Sequence, residues 1–147
     1  NSRFMKYLTS VGTHPILNNS VLLIARVVIG FAMLAHGYPK LQMLLSGEEI
    51  KFFNFLGLGE QFSLTLAVFA EFVCSIFLIL GLFTRWSAFF LLFTMIIAFF
   101  VIHGADPFEL REKSLLYLII YLSLLVCGPG KYSVDGMISS KSRRSQW

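Results

Sequence analysis

The sequence predicts an all-α fold: a four-transmembrane-helix bundle with both termini cytoplasmic and a short interfacial segment between spans 1 and 2. Three observations predict it. Apolar residues make up 56% of the chain and the mean hydropathy is +0.75, far above the norm for a soluble domain. They collect into four long apolar segments broken by Gly, Pro and charged residues. Threaded through a membrane, those segments put Arg3, Lys6, Arg85, Lys131, Lys141, Arg143 and Arg144 on the side of the termini, against Lys40, Lys51, Arg111 and Lys113 with most of the acids on the other. That asymmetry makes the terminal side cytoplasmic. Sixteen Phe against 14% charged residues also argues against a disordered or nucleic-acid-binding chain, where aromatics would stand among basic runs.

The chain divides into a cytoplasmic lead-in (1–19), a four-span membrane domain (20–130) and a basic cytoplasmic tail (131–147). Pro15 and Asn18-Asn19-Ser20 can stop one element and cap the next,. Span 1 runs from about Val21 to Leu45; its start resembles a signal core, but three further apolar segments follow, so it reads as a retained span,. Ser46-Gly47-Glu48-Glu49 breaks it. Ile50 to Leu58 is too short to cross, so it lies in the interface as a short helix or re-entrant turn,. Span 2 covers about Phe62 to Phe83 and closes at Thr84-Arg85; span 3 covers Trp86 to His103. After a loop containing Pro107, span 4 runs from about Lys113 to Cys127, where Gly128-Pro129-Gly130 stops it,.

Polar residues inside these spans are the candidate site. A charged side chain at mid-bilayer costs about 2.5–3.5 kcal/mol on insertion scales. On span 1, Arg26, Gly30, Met33, Gly37 and Lys40 share one helical stripe with His36 at its edge,. Span 2 carries Glu71. Counting about 1.5 Å per residue from the cytoplasmic ends puts Arg26 roughly 9 Å deep and Glu71 roughly 16 Å deep, so the expected partner of Glu71 is Arg26. That pair serves equally as a proton relay or as a structural clamp fixing helix register. His36 and His103 fall near the outer boundary, Lys40 at the outer interface as a snorkelling anchor, and Glu112 at the start of span 4. Tyr117 and Tyr121, one turn apart, extend the polar line inward. Cys74 and Cys127 lack CxxC spacing and read as small hydrophobes,. No metal site is expected from two histidines alone, and no phosphate-binding, dinucleotide or hydrolase motif is present,.

Several stretches in order resemble the DoxX family. They are Leu23-Ile24-Ala25-Arg26 with Gly30 and Phe31, His36-Gly37-Tyr38-Pro39-Lys40-Leu41, and Phe55-Leu56-Gly57-Leu58-Gly59. Glu71 followed by Leu80-Gly81-Leu82-Phe83-Thr84-Arg85, then Glu112 to Tyr117, then Gly128-Pro129-Gly130-Lys131-Tyr132-Ser133-Val134-Asp135 complete the likeness. The resemblance implies a multi-pass protein of the bacterial inner membrane. It also implies association with an oxidoreductase system, either quinone-linked thiosulfate oxidation or a thiol and oxidative-stress complex. The family supplies no catalytic residues to carry over, and the absence of a dithiol motif here departs from the thiol-exchange version.

Together these readings give a membrane subunit of a quinone-linked or thiol/sulfur oxidoreductase system, with a buried polar ladder around Arg26 and Glu71. His36, Lys40, His103, Glu112, Tyr117 and Tyr121 are its ligand-facing residues and quinone its candidate cofactor. The alternative is a non-catalytic membrane scaffold with a structural ion pair. The partners expected are the lipid bilayer and a redox partner protein or a second copy of the chain, with no nucleic acid.

Overall fold

The structure is a computed structural model that describes residues 2–12 and 14–145. Among the described residues it is helical with no strand. A short amphipathic helix, α1 (Ser2–Thr9), precedes three helices long and apolar enough to cross a membrane: α2 (Pro15–Leu45), α3 (Glu60–Leu80) and α4 (Thr84–Ile102). Helix α5 (Phe108–Cys127) follows, then α6 (Val134–Arg144). At 20 residues α5 is about 30 Å long, but Glu109, Arg111, Glu112 and Lys113 occupy its first two turns. The apolar part of α5 is therefore shorter than its length suggests.

The four long helices pack in a ring. Helix α2 pairs with α3 and α4 with α5, α3 packs on α4, and α5 closes back onto α2. At the centre lie Ile29, Met33, Cys74, Leu78, Ala88, Leu91, Met95, Tyr121 and Leu124. Large apolar side chains also cover much of the outward surface of the long helices: Val28, Phe31 and Phe100 are each about 60% exposed. So extensive an apolar exterior is unfavourable in water and matched by lipid.

Several helix ends differ from the sequence reading. Helix α2 starts at Pro15, before Val21, because Pro at the first helical position has its φ already set for a helix,. Asn18, Asn19 and Ser20 consequently lie inside the helix and cap nothing. Ser20 Oγ instead donates to the Ile16 carbonyl at 2.7 Å, and Asn19 Oδ1 accepts from the Lys131 amide at 3.0 Å. Ile50 to Leu58 is not a helix but an irregular segment with one 3₁₀ turn, Phe55–Gly57. Ser63 Oγ at the top of α3 accepts from the Phe55 amide at 2.9 Å and pins it.

The turn between spans 2 and 3 falls at Gly81-Leu82-Phe83, not at Thr84-Arg85. Gly81 takes φ +71°, a conformation that ends α3 at no side-chain cost,. Thr84 and Arg85 open α4 because Asp135, fifty residues downstream, caps it: its two carboxylate oxygens accept from the Phe83 and Thr84 amides at 3.0 and 2.9 Å,. The basic tail is helix from Val134, capped by Ser133 Oγ on the Gly136 amide at 3.0 Å. Because Asn19 and Lys131 touch, the start of α2 and the segment after α5 meet at one end of the bundle.

Gly30 and Gly37 set how closely α2 and α3 approach. A Cβ on Gly37 would stand 3.0 Å from the carbonyl carbon and oxygen of Glu71, and one on Gly30 would run into Ile79. Small residues at such crossings let backbones meet. Gly37→Leu should therefore lower stability by about 1–3 kcal/mol, read as a drop in melting temperature in detergent, whereas Phe31→Leu on the exposed face leaves it unchanged.

Candidate functional site

Two polar centres occupy opposite ends of the α2–α3 contact, and the sequence reading merged them. Arg26 does not pair with Glu71. Its guanidinium is fully buried and donates from Nη1 to the Leu78 and Ile79 carbonyls at 3.2 and 3.3 Å, and from Nη2 to the Tyr132 carbonyl at 2.5 Å. The last carbonyls of α3 have no intrahelical donor and sit at the negative end of the helix dipole. A forked cation one turn away meets that need sooner than it meets a carboxylate two turns deeper.

Glu71 pairs with Lys40. Lys40 Nζ lies 2.7 Å from Oε1 and 2.5 Å from Oε2. Glu71 is nearly fully buried, while the Lys40 side chain is 30% exposed. Lys40 thus enters the interior from its end of the helix rather than snorkelling outward. Two features bring the groups together. Gly37 lets α2 touch the backbone of Glu71 itself. Glu71 also lies in a π-helical stretch, Phe69–Cys74, within α3; such a wide turn shifts a side chain off the regular α-helical register and recurs at functional sites.

Beside this pair is a cavity of about 1200 Å³. Its polar lining includes His36, Lys40, Lys51, Glu71, Lys113 and Tyr117. The His36 ring meets the Tyr117 ring edge-on at 6.0 Å, and Tyr117 stacks on Tyr121, again at 6.0 Å. Tyr121 is fully buried behind Tyr117 and does not line the cavity; its hydroxyl has no hydrogen-bond partner among the described residues. His103 lines the cavity and binds Asp106 through Nδ1 at 2.8 Å. Glu112 lies on the exposed face of α5, about 100° around the helix from Lys113, and does not line the cavity,.

Much of the rest of the lining is apolar and part-exposed. Leu66 and Phe69 of α3 and Phe89, Phe90 and Phe93 of α4 line the cavity and are 38–49% exposed on the outer surface. The Phe69 and Phe90 rings meet edge-on at 5.7 Å where α3 and α4 come together. The segment after α2 covers the end of the bundle: Phe52 lies 5.9 Å from Lys40 Nζ, and Phe55 packs on Phe93 at 6.4 Å. The sequence reading missed Lys51, Phe52 and Lys113 as site residues. Lys113 was accessible to it, since Lys113 and Tyr117 stand one turn apart on one face of α5. Lys51 and Phe52 lie in irregular chain with no periodicity to follow.

A cavity that combines charged and hydrogen-bonding side chains with a large apolar lining suits an amphiphile with a polar head. The cysteines take no part in it: Cys74 is buried in the core, Cys127 is exposed at the end of α5, and both are free thiols.

Breaking the Lys40–Glu71 pair from one side leaves a buried charge without a partner. Lys40→Met should destabilise the fold by about 3–5 kcal/mol, and Lys40→Met with Glu71→Leu should recover most of that loss, as measured by thermal unfolding of the two variants in detergent.

Comparison with known proteins bears on the same residues. The chain is 32% identical over 126 residues to an uncharacterized protein of Haemophilus influenzae, a match covering 79% of this chain and 89% of that one. No solved structure matches it. The DoxX family model matches residues 21–104, which span α2, α3 and α4 with Arg26, Lys40 and Glu71 among them. This multi-pass membrane chain belongs to the DoxX family.

Proposed function

We propose that the chain is a four-span subunit of the bacterial inner membrane, associated with a quinone-linked or thiol/sulfur oxidoreductase system, and that its cavity holds the head group of a quinone. The observation that carries this reading is the cavity beside Lys40 and Glu71, which mixes charged and hydrogen-bonding side chains with phenylalanines that are themselves part-exposed on the outer surface. A quinone has a planar ring bearing two carbonyl acceptors and an apolar tail. Lys40, His36 and the Tyr117 hydroxyl supply donors to such a ring, and the half-exposed phenylalanines of α3 and α4 give the tail a path to the bilayer,. Reducing a quinone to its quinol takes two electrons, which the associated oxidoreductase would supply, and two protons, one of which Glu71, a carboxylate lining the cavity, would pass to the head group,. Orientation with both termini in the cytoplasm is supported by the basic residues at the terminal end and the acids at the other,.

The second reading, a scaffold for a membrane partner, draws on Arg26. Its guanidinium binds only backbone carbonyls, joining α3 to the segment after α5, which is the behaviour of a clamp. Under this reading Lys40–Glu71 is a second clamp, and activity of the partner complex survives in the Lys40→Met, Glu71→Leu double variant.

Titration of the purified protein with decylubiquinone decides between the two. The quinone reading expects saturable binding that weakens roughly tenfold or more in Glu71→Gln and in Lys40→Met, the range expected for a lost hydrogen bond to a charged group, with a smaller loss in Tyr117→Phe. Absence of binding, or binding indifferent to all three substitutions, would sink it.

A further inference from the structure

The opposite end of the molecule holds a second cleft, of about 970 Å³, between the start of α4, the Gly128-Pro129-Gly130 segment and α6. Arg85, Lys131, Arg143 and Arg144 line it, with Asp135 as its one carboxylate. Both oxygens of Asp135 are taken by the Phe83 and Thr84 amides. No acidic side chain pairs with any of the four cations within 4 Å among the described residues. The fold brings the backbone positions of these cations together. Asp135 ties α6 to α4, and Ser139, Ser140, Arg143 and Arg144 fall on one face of α6 at the spacing of successive turns,. The cleft also has an apolar lip: Phe83 and Trp86 line it and are 59% and 67% exposed. Both sit at the very start of a membrane-crossing helix, the level of the lipid head groups,.

We propose that this cleft binds the phosphate of an anionic glycerophospholipid. Guanidinium groups match phosphate oxygens in bidentate geometry, and Ser139 and Ser140 add hydroxyl donors. The excess of positive charge selects a head group with net negative charge and repels a quaternary ammonium. The exposed Trp86 and Phe83 favour a lipid over a free anion, because a free phosphate has no use for an apolar lip. The binding of such a lipid on the basic side of the bilayer follows the general attraction of juxtamembrane cations to anionic leaflets, here given a shaped site.

Trp86 reports on the cleft once the other tryptophan, Trp147, is replaced by Phe. The full chain in neutral detergent is titrated with dioctanoyl phosphatidylglycerol, dioctanoyl phosphatidylcholine and inorganic phosphate, reading Trp86 fluorescence and lipid retention by native mass spectrometry. Saturable binding of phosphatidylglycerol alone is expected, weakening about fivefold for each cation removed in Arg85→Gln, Arg143→Gln and Arg144→Gln. All three positions are exposed, and circular dichroism checks that the variants stay helical. Should a variant unfold, the unmodified cleft still decides, since its affinity must fall as salt rises from about 50 mM to about 500 mM. Equal responses to both lipids, an equal response to inorganic phosphate, or affinity insensitive to both charge removal and salt would overturn the proposal.

Discussion

A guanidinium buried among apolar helices must find its acceptors inside the protein, and Arg26 finds them in backbone carbonyls of two other segments. With no water to take over, losing those contacts leaves a cation and several carbonyl groups unsatisfied in a medium of low dielectric. That penalty locks three parts of the chain together: α2, the last turn of α3 and the loop after α5. It also sets the register of α2 against α3. With Arg26 level with Leu78 and Ile79, Gly30 falls at Ser75 and Ile79, and Gly37 falls at Glu71. Lys40, one turn further on, then comes within reach of the Glu71 carboxylate.

One helix therefore carries two cations with different work. Arg26 is fully enclosed and bonded to main chain, so its environment leaves little room for anything but structure. Lys40 is partly exposed to a large cavity and shares its carboxylate with that space. The π-helical stretch at Phe69–Cys74 belongs to the second centre alone. It interrupts the regular hydrogen bonding of α3 at the one acidic residue the helix buries, where Gly37 of α2 packs against its backbone.

The turn joining α3 to α4 depends on residues far along the chain. Asp135 caps α4 and its own amide donates to the Gly81 carbonyl at 2.9 Å. Gly81 has space for no side chain, since a Cβ there would meet Arg26 and Ser133. The clamp, the cap and the basic cleft are thus one assembly at the terminal end, while the cavity beside Lys40 and Glu71 occupies the other.

Much of this chain was legible as sequence, for physical reasons. Long apolar runs bounded by Gly, Pro and charge announce membrane helices, and three of the four predicted spans appear as helices long and apolar enough to cross. The cost of burying charge also singled out Arg26, Lys40, His36, Glu71 and Tyr117, four of which line one cavity. Which cation meets Glu71 was not legible. Depth counted along isolated helices ignores the orphan carbonyls at the end of α3, the close approach at Gly37 and the π-helical shift at Glu71, and each of these arises only when helices pack. The cap of Asp135 on α4 and the fold of Lys51 and Phe52 over the cavity likewise join residues with no local signal between them. Sequence alone determined which residues are too polar to lie idle in a bilayer; the tertiary structure decided their partners, because in a medium without water a buried charge takes the acceptor that packing brings nearest.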